Sequence, residues 1–155
     1  MTHCSVLAAL RAGRLEDRII EFSESTHTVA EAAQAIGCRP HDIAKSVALH
    51  LGEGAVVVLC AGDHKIDNAR FKAVFGEKAR MLSAEETPAF TGFEPGGVSP
   101  LGLPPGVRLF LDVSLLDCME VYPAGGDFHT VLRLTLNELR SSCVFDGVVE
   151  VAVKR

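Results

Sequence analysis

Residues 43–61 read IAKSVALHLGEGAVVVLCA, and this stretch decides the fold. Its first half alternates, so that Ile43, Val47 and Leu49 point to one face of a strand while smaller side chains point to the other. Its second half, residues 55–61, is apolar on both faces, as in a central strand that is covered on both sides. The Gly-Glu-Gly turn at residues 52–54 joins the halves. The stretch therefore predicts a β-hairpin in the middle of a sheet.

Helices are predicted on both sides of this hairpin. Thr28 and Glu31 form a capping-box pattern ahead of a helix that ends at Gly37, and Thr135 and Glu138 repeat the pattern near the other end of the chain. Two shorter helices are predicted after the hairpin, one between residues 67 and 76 and one from residue 83. The first 20 residues are predicted to form an N-terminal helical segment.

Four further strands are predicted, at residues 108–111, 119–122, 130–134 and 148–153. No internal repeat, low-complexity segment or linker interrupts the pattern. Together the elements predict a single α+β domain over residues 1–155, in which helices surround a mixed, mostly antiparallel β-sheet.

The composition excludes several classes of protein. Hydrophobic residues make up 48% of the chain and charged residues 23%, as in an ordinary globular protein, and no apolar run is long enough to span a membrane. The first residues lack the pattern of a secretory signal, so we expect a cytoplasmic protein. The five cysteines are scattered and form no C-x-x-C pair, which argues against both a disulfide framework and a structural metal site.

Charge is unevenly distributed along the chain. The formal net charge of −5 discourages a nucleic-acid partner at first sight. However, residues 65–80 carry five cations against two carboxylates, whereas residues 81–127 carry seven carboxylates against one arginine. An acidic protein can therefore still present a basic face, although a solvated helix of mixed charge would give the same counts.

Lys45 is the anomaly of the predicted hairpin. By strand parity it shares the core-facing side with Val47 and Leu49, and a lysine is rarely buried unless it is paired or functional. One interpretation is that its ammonium reaches past the sheet edge to solvent. The other is a cation at the rim of a pocket, directed at a phosphate or carboxylate.

Three further positions could belong to a site. Asp63 and His64 follow the buried strand, where ligand-contacting residues often lie, although an Asx turn beside a solvated histidine also fits. His129 enters a strand after a Gly-Gly turn, with a structural role as the alternative. Asp112 ends a strand and is expected to cap the following turn. Asp63, His64 and Asp67 do not make a convincing metal site.

Residues 96–102 read GGVSPLG and lie outside every predicted helix and strand. Adjacent glycines followed by proline let the backbone turn tightly and approach a ligand closely. The bare N–H groups of such a loop suit a carbonyl or phosphate oxygen, although many Gly-Pro loops are only turns. No catalytic triad, P-loop or dinucleotide-binding motif is present, so the sequence predicts neither covalent catalysis nor an ATP or dinucleotide cofactor.

In the order and spacing of several motifs, the sequence resembles the YbaK/prolyl-tRNA-synthetase-associated editing superfamily. The resemblance covers roughly residues 20–153. The segments that carry it are residues 28–33, 43–46, 61–64, 96–102, Asp112 and residues 124–125. It implies a partly barrel-like α+β fold and a free-standing aminoacyl-tRNA deacylase that acts in trans without a cofactor.

The resemblance also implies roles for particular residues. Lys45 would hold the phosphate backbone near the terminal adenosine. The backbone N–H groups of the G-x-x-x-P loop would bind the aminoacyl carbonyl. The residues of this loop are Gly96, Gly97, Val98, Ser99 and Pro100. Because an aminoacyl ester is already activated and the neighbouring ribose hydroxyl can assist water, the enzyme needs no nucleophile of its own.

The implied substrate is mischarged tRNA, bound through its acceptor end, and most often tRNA for proline. Alanine is the first candidate for the amino acid, since His129 is placed as in the alanine-directed members, and other small residues follow. Candidate substrate-binding residues are Phe22, Thr28, Val47, Asp63, His64, Gly125 and His129. Prolyl-tRNA synthetase is a candidate partner, whereas neither DNA nor a membrane is implied. The alternative is a non-catalytic module of the same fold, associated with a synthetase complex, that binds a small ligand or a tRNA end.

Overall fold

The predicted hairpin forms the centre of the fold. In the computed structural model, which describes residues 3–23 and 28–155, β2 (Ile43–Leu51) and β3 (Gly54–Ala61) pair antiparallel from Ala44–Ala61 to Leu51–Gly54. Alternate residues of the hairpin enter two separate cores. Val47 and Leu49 pack in one core with Phe71 of a helix, and Ala44 packs in the other. Both faces of the hairpin are therefore covered, as its apolar second half predicts.

The remaining helices and strands follow in chain order. The described α-helices are α1 (Cys4–Ala12), α2 (Val29–Ile36), α3 (Asn68–Phe75), α4 (Glu86–Thr91) and α5 (Leu136–Ser142). The other described strands are β1 (Ile19–Glu21), β4 (His64–Ile66), β5 (Arg108–Asp112), β6 (Glu120–Pro123), β7 (Thr130–Leu132), β8 (Leu134–Thr135), β9 (Gly147–Val149) and β10 (Ala152–Lys154). None of these helices is long and apolar enough to cross a membrane.

The central sheet has six strands in the order β8-β6-β2-β3-β5-β9. Pairing is antiparallel for β8–β6 and β2–β3 and parallel for the other three neighbours. Two antiparallel ribbons, β1–β7 and β4–β10, flank it. A single β-bridge between Ala124 and Val131 connects the end of β6 to β7. The predicted mixed sheet in one α+β domain is thus confirmed.

Both segments with the capping-box sequence pattern begin helices as predicted. Thr28 Oγ1 accepts a hydrogen bond from the Glu31 N–H at 3.1 Å, and α2 ends at Gly37, whose φ of 82° is left-handed. Thr135 and Glu138 exchange the reciprocal bonds of a capping box at the start of α5. These capping residues fix the two ends of α2, which lies beside the beginning of β2.

The prediction of one strand over residues 148–153 is wrong. The segment instead forms β9, which pairs with β5, and β10, which pairs with β4. The buried carboxylate of Asp112 causes the break, because its Oδ1 accepts from the N–H groups of Val151 at 2.8 Å and Ala152 at 3.2 Å. Its Oδ2 accepts from the Ser114 N–H at 3.0 Å, which confirms that Asp112 caps the following turn.

The single strand expected over residues 130–134 is also divided. β7 pairs with β1, whereas β8 pairs with β6 of the central sheet. Between them the Arg133 N–H donates to the Arg18 carbonyl oxygen at 2.9 Å. The chain thus passes from the flanking ribbon to the sheet edge within a few residues.

Candidate functional site

A cavity of about 220 Å³ opens where β2 begins. Its wall comes from the N-terminal half of α2, the first four residues of β2, the glycine loop and the segment around β6 and β7. The volume is below the roughly 300–1,000 Å³ of pockets for drug-sized ligands. The cavity therefore suits a small chemical group better than a whole nucleotide.

Lys45 contributes to this wall and is half-buried. Its Nζ donates a hydrogen bond to the backbone carbonyl oxygen of His64, so Lys45 lies against the turn between β3 and β4. Burial lowers the pKa of the Lys45 ammonium, and the positive charge of Arg155 lowers it further. The residue that strand parity singled out thus lines a cavity, and a ligand phosphate or carboxylate near its ammonium would stabilise that charge.

Ser46, the next residue of β2, also lines the cavity. Its Oγ is buried and has no hydrogen-bond partner among the described residues. A buried hydroxyl without a partner costs free energy in a folded protein, so a ligand that bonds to it recovers that cost. Sequence analysis missed this residue, because a serine on an alternating strand gives no sign that its hydroxyl lacks a partner.

The glycine loop begins with a tight turn. Pro95 and Gly96 occupy its central positions, Gly96 has a φ of 85°, and the Gly97 N–H donates to the Glu94 carbonyl oxygen at 2.9 Å. A Cβ on Gly97 would lie 3.1 Å from both the Asp127 Cα and the Gly126 carbonyl oxygen. The loop therefore packs closely against the segment that follows β6.

The loop supplies fewer free amides than expected. Gly97 uses its N–H within the turn, and Pro100 has none. The N–H groups of Gly96 and Val98, which both line the cavity, donate to no acceptor in residues 3–23 and 28–155. Ser99 is fully buried beneath them, and its Oγ accepts from the Leu101 N–H at 3.3 Å. Two residues of the cavity wall thus have an N–H group with no acceptor among the described residues.

Asp127 places a carboxylate on the same wall. Burial opposes its ionisation, but the hydrogen bond from the His129 N–H, at 2.8 Å, helps to lower the pKa of Asp127 on balance. An ionised carboxylate can attract a ligand ammonium group. Sequence analysis had counted Asp127 only among the acidic residues, since its approach to the glycine loop depends on the tertiary fold.

Asp63 and His64 lie behind Lys45 and not in the cavity wall. Asp63 Oδ1 accepts hydrogen bonds from Nδ1 of His64 at 2.7 Å and from Nδ1 of His41 at 2.8 Å. The other ring nitrogen of His41 donates to Asp117 Oδ1 at 2.9 Å. Because both partners of the His41 ring are carboxylate oxygens, both of its nitrogens carry protons. Burial alone would lower the pKa of His41, but these two carboxylates raise it.

Among residues 3–23 and 28–155, this network contains two overlapping groups of potential metal ligands. Donor atoms of His41, Asp63 and His64 lie within 4.8 Å of one another, and those of His41, Asp117 and Cys118 do so as well. A metal ion would have to replace the protons that the hydrogen bonds use. Burial also raises the pKa of the Cys118 thiol to about 12, which keeps this sulfur protonated. The donor set is therefore better suited to fixing the β3–β4 turn.

Gly62 explains how the network forms. A Cβ at this position would lie 2.3 Å from the Pro40 carbonyl oxygen and 2.6 Å from Val29 Cγ1. Only glycine lets the β3–β4 turn approach this closely, and the approach brings His41 to Asp63. His41 was missed in the sequence because it lies 22 residues before Asp63. Asp67 is the N-cap of α3, where its side chain accepts from the Arg70 N–H at 3.0 Å.

Of the other predicted site residues, some line the cavity and others lie outside its wall. Thr28 is part of its wall. Gly125 is buried beside Thr130, and its N–H donates to the Thr130 carbonyl oxygen at 2.9 Å. Val47 packs in a core and is absent from the cavity wall. His129 has an exposed side chain, and its carbonyl oxygen accepts from the Phe22 N–H at 2.8 Å.

Comparison with known proteins identifies the family that shares this arrangement. A family model described as the aminoacyl-tRNA editing domain matches residues 23–141, which is most of the chain. The chain belongs to the aminoacyl-tRNA editing domain family. The match spans β2, the glycine loop and the segment that carries Asp127, and so includes the whole cavity wall. The resemblance noted in the sequence is confirmed.

Relatives of this editing domain occur both alone and within longer proteins. YwhH of Bacillus subtilis (strain 168), an uncharacterized protein, is 44% identical over 126 residues, which are 80% of each chain. The proline–tRNA ligase of Bacillus licheniformis is 35% identical over 92 residues, 59% of this chain. The chain spans only 16% of that ligase.

Solved structures show the same fold. One of them, named provisionally as a trans-editing enzyme for prolyl tRNA synthetase, superposes with a TM-score of 0.86 at 30% identity. The superposition covers 100% of this chain and 99% of the other. The hypothetical protein APE2540 matches with the same TM-score at 29% identity, over 96% of this chain. Both structures therefore share the α+β fold of this chain over nearly its whole length.

Proposed function

We propose that this chain is a trans-acting deacylase that hydrolyses the ester of mischarged aminoacyl-tRNA, with tRNA-Pro carrying alanine or another small amino acid as the preferred substrate. The observation that carries the proposal is a small cavity lined by Lys45 together with two amides and a hydroxyl that have no hydrogen-bond partner among the described residues. Membership of the aminoacyl-tRNA editing family supports it.

Each of these groups fits one part of an aminoacyl-tRNA end. The Lys45 ammonium would bind a phosphate next to the terminal adenosine. The N–H groups of Gly96 and Val98 would donate to the ester carbonyl oxygen, and the Asp127 carboxylate would attract the α-ammonium group. The Ser46 hydroxyl is left for the remaining polar atoms of the aminoacyl group or ribose.

The reaction needs no nucleophilic side chain. Water attacks the ester carbonyl carbon, the bond from this carbon to the ribose oxygen breaks, and the ribose oxygen takes up a proton. The products are the free amino acid and uncharged tRNA. The protein contributes by positioning the ester and by stabilising the negative charge that develops on the carbonyl oxygen. The neighbouring ribose hydroxyl would assist the water.

The size of the cavity favours a small amino acid. Ala32, Ala44 and Ala124 line it together with Gly96, but the bulkier Ile43 and Tyr122 lie on the same wall. Discrimination by a single methylene is worth only about 1–3 kcal/mol, so we expect a graded preference and not absolute selection. The relation to proline–tRNA ligases makes tRNA-Pro the first choice of tRNA and prolyl-tRNA synthetase a candidate partner.

The direct test uses tRNA-Pro charged separately with labelled alanine, serine, cysteine or threonine. We expect release of the amino acid above the spontaneous rate, fastest for alanine and slower for the branched threonine. The Lys45→Ala variant, purified in the same way, controls for contaminating esterases. Failure to release any of the four would contradict the proposal and favour a module that binds a tRNA end without turnover.

A further inference from the structure

The edge formed by β4 and β10 is a second cationic region beside the cavity. In this ribbon Lys154 lies opposite His64 and Lys65 lies opposite Val153, while the Arg155 N–H donates to the Asp63 carbonyl oxygen at 3.0 Å. The side chains of Lys65, Lys154 and Arg155 are exposed. These three residues are called the β4–β10 edge below.

The cations of this edge differ in their pairing from several other arginines of the chain. Arg18, Arg39 and Arg133 each form an ion pair with a carboxylate. In the part of the chain that the structure describes, no ion pair involves Lys65, Lys154 or Arg155. Exposed cations without an ion-pair partner attract phosphate.

The edge is continuous with the cavity through Lys45. Lys45 lines the cavity, its Nζ contacts the His64 carbonyl oxygen, and His64 pairs with Lys154 across the ribbon. A groove of about 260 Å³ follows, with His64, Arg70 and Lys154 in its wall. Glu150 is also in this wall, but it already forms an ion pair with Arg70 at 3.3 Å. Arg155 is near enough to lower the pKa of Lys45, so an anion between the two would relieve their repulsion.

We infer that the acceptor strand of the RNA leaves the cavity past Lys45 and runs along the β4–β10 edge, where Lys65, Lys154 and Arg155 contact its phosphates. The identity of this ligand rests on the proposed function. Because the cavity is too small for a whole nucleotide, the phosphates must continue outside it, and the β4–β10 edge is a cationic surface that adjoins Lys45. The net negative charge of the whole protein does not oppose this path, because the cations are local.

The test is the salt dependence of binding to uncharged tRNA-Pro, which needs no hydrolysis. The Lys154→Ala/Arg155→Ala double variant removes two cations from the edge. The matched control, Lys78→Ala/Arg80→Ala, removes two exposed cations near His50, whose N–H donates to the Arg80 carbonyl oxygen at 2.8 Å. The control site lies five residues along β2 from Lys45, or about 17 Å away.

Each phosphate contact adds about 0.7 to the slope of log affinity against log salt for a single strand. We expect the edge variant to lose about 1.4 from this slope and to bind at least about tenfold more weakly at low salt, while the control keeps the wild-type slope. Equal slopes for the edge variant and the control would overturn the inference. If the edge variant loses slope but the wild-type protein hydrolyses no charged tRNA, the surface stands and the proposed function fails.

Discussion

The two ends of the β2–β3 hairpin treat their polar groups differently. At the far end, the turn end, His50 Nε2 lies 3.1 Å from Glu86 Oε1, and the Gly52 N–H donates to Glu77 Oε1 at 2.9 Å. At the near end, where β2 begins, Ser46 Oγ has no partner among the described residues and Lys45 Nζ contacts only a backbone carbonyl oxygen. Polar groups that bond to each other within the chain, as at the far end, have a structural role. Polar groups without a partner among the described residues, beside a cavity, are typical of a ligand-binding site.

The glycines at the two ends should differ most in their effect on stability. Gly62→Ala puts a Cβ into the Pro40 carbonyl oxygen and should lower the free energy of unfolding by about 3 kcal/mol. Gly52→Ala meets no atom within 4 Å and has only the strain of a left-handed backbone, about 1 kcal/mol. Urea unfolding of both variants measures the difference, and equal losses would show that the near end is not closely packed.

Ser46 of β2 and Ser114, which bonds to β3, allow a hydroxyl without a described partner to be compared with one that has a partner. Ser46→Ala should leave the free energy of unfolding unchanged or raise it by up to about 1 kcal/mol, while kcat/KM for the charged tRNA falls by about tenfold. Ser114→Ala is the control, because Ser114 Oγ accepts from the Ala61 N–H at 3.0 Å. Loss of this hydrogen bond should lower the free energy of unfolding by about 1 kcal/mol. A clear loss of stability in Ser46→Ala would mean that its hydroxyl is already bonded.

The His41 network should give the smallest effect, and one that depends on pH. Two carboxylates raise the pKa of His41, so the imidazolium stabilises the fold fully below its unfolded pKa of about 6.5 and loses this contribution as pH rises through the folded value. Asp117 has a lowered pKa, chiefly through its hydrogen bond with His41, so the contribution of its carboxylate to the stability of the fold is lost at acidic pH.

His41→Gln should therefore lower the free energy of unfolding at pH 6 by less than about 1 kcal/mol, with a smaller difference at pH 9. Urea unfolding at the two pH values provides the measurement. The His50→Gln variant controls for loss of an imidazole–carboxylate pair at the far end. A difference between wild type and His41→Gln that grows toward pH 9 would contradict the protonated network.

Local signals predicted much of this fold. The capping residues Thr28 and Thr135, the alternation along β2 and the apolar β3 all depend on neighbours in the chain, and the structure has them as expected. The strand over residues 148–153 was wrong because the carboxylate of Asp112, far away in sequence, takes two backbone N–H groups that a continuous strand would have used.

The residues of the candidate site also divide into those that local sequence reveals and those that only the tertiary fold reveals. Lys45 could be recognised because a cation on an apolar strand face conflicts with its neighbours. Ser46, Asp127 and His41 could not, since their significance depends on which atoms the tertiary fold brings near them. The fold also reduces the number of N–H groups that the glycine loop can offer to a ligand, because the Gly97 N–H is used within the turn.

The central claim is that the near end of the hairpin hydrolyses the ester and that Lys45 holds the substrate there. The most direct measurement is the single-turnover rate of alanine release from Ala-tRNA-Pro at saturating protein, with Lys45→Ala compared with Lys78→Ala. We predict that Lys45→Ala keeps the wild-type circular dichroism spectrum and slows release by about 100-fold or more, equivalent to about 3 kcal/mol, while Lys78→Ala stays within about twofold of wild type. A folded Lys45→Ala variant that releases alanine at the wild-type rate would contradict the account.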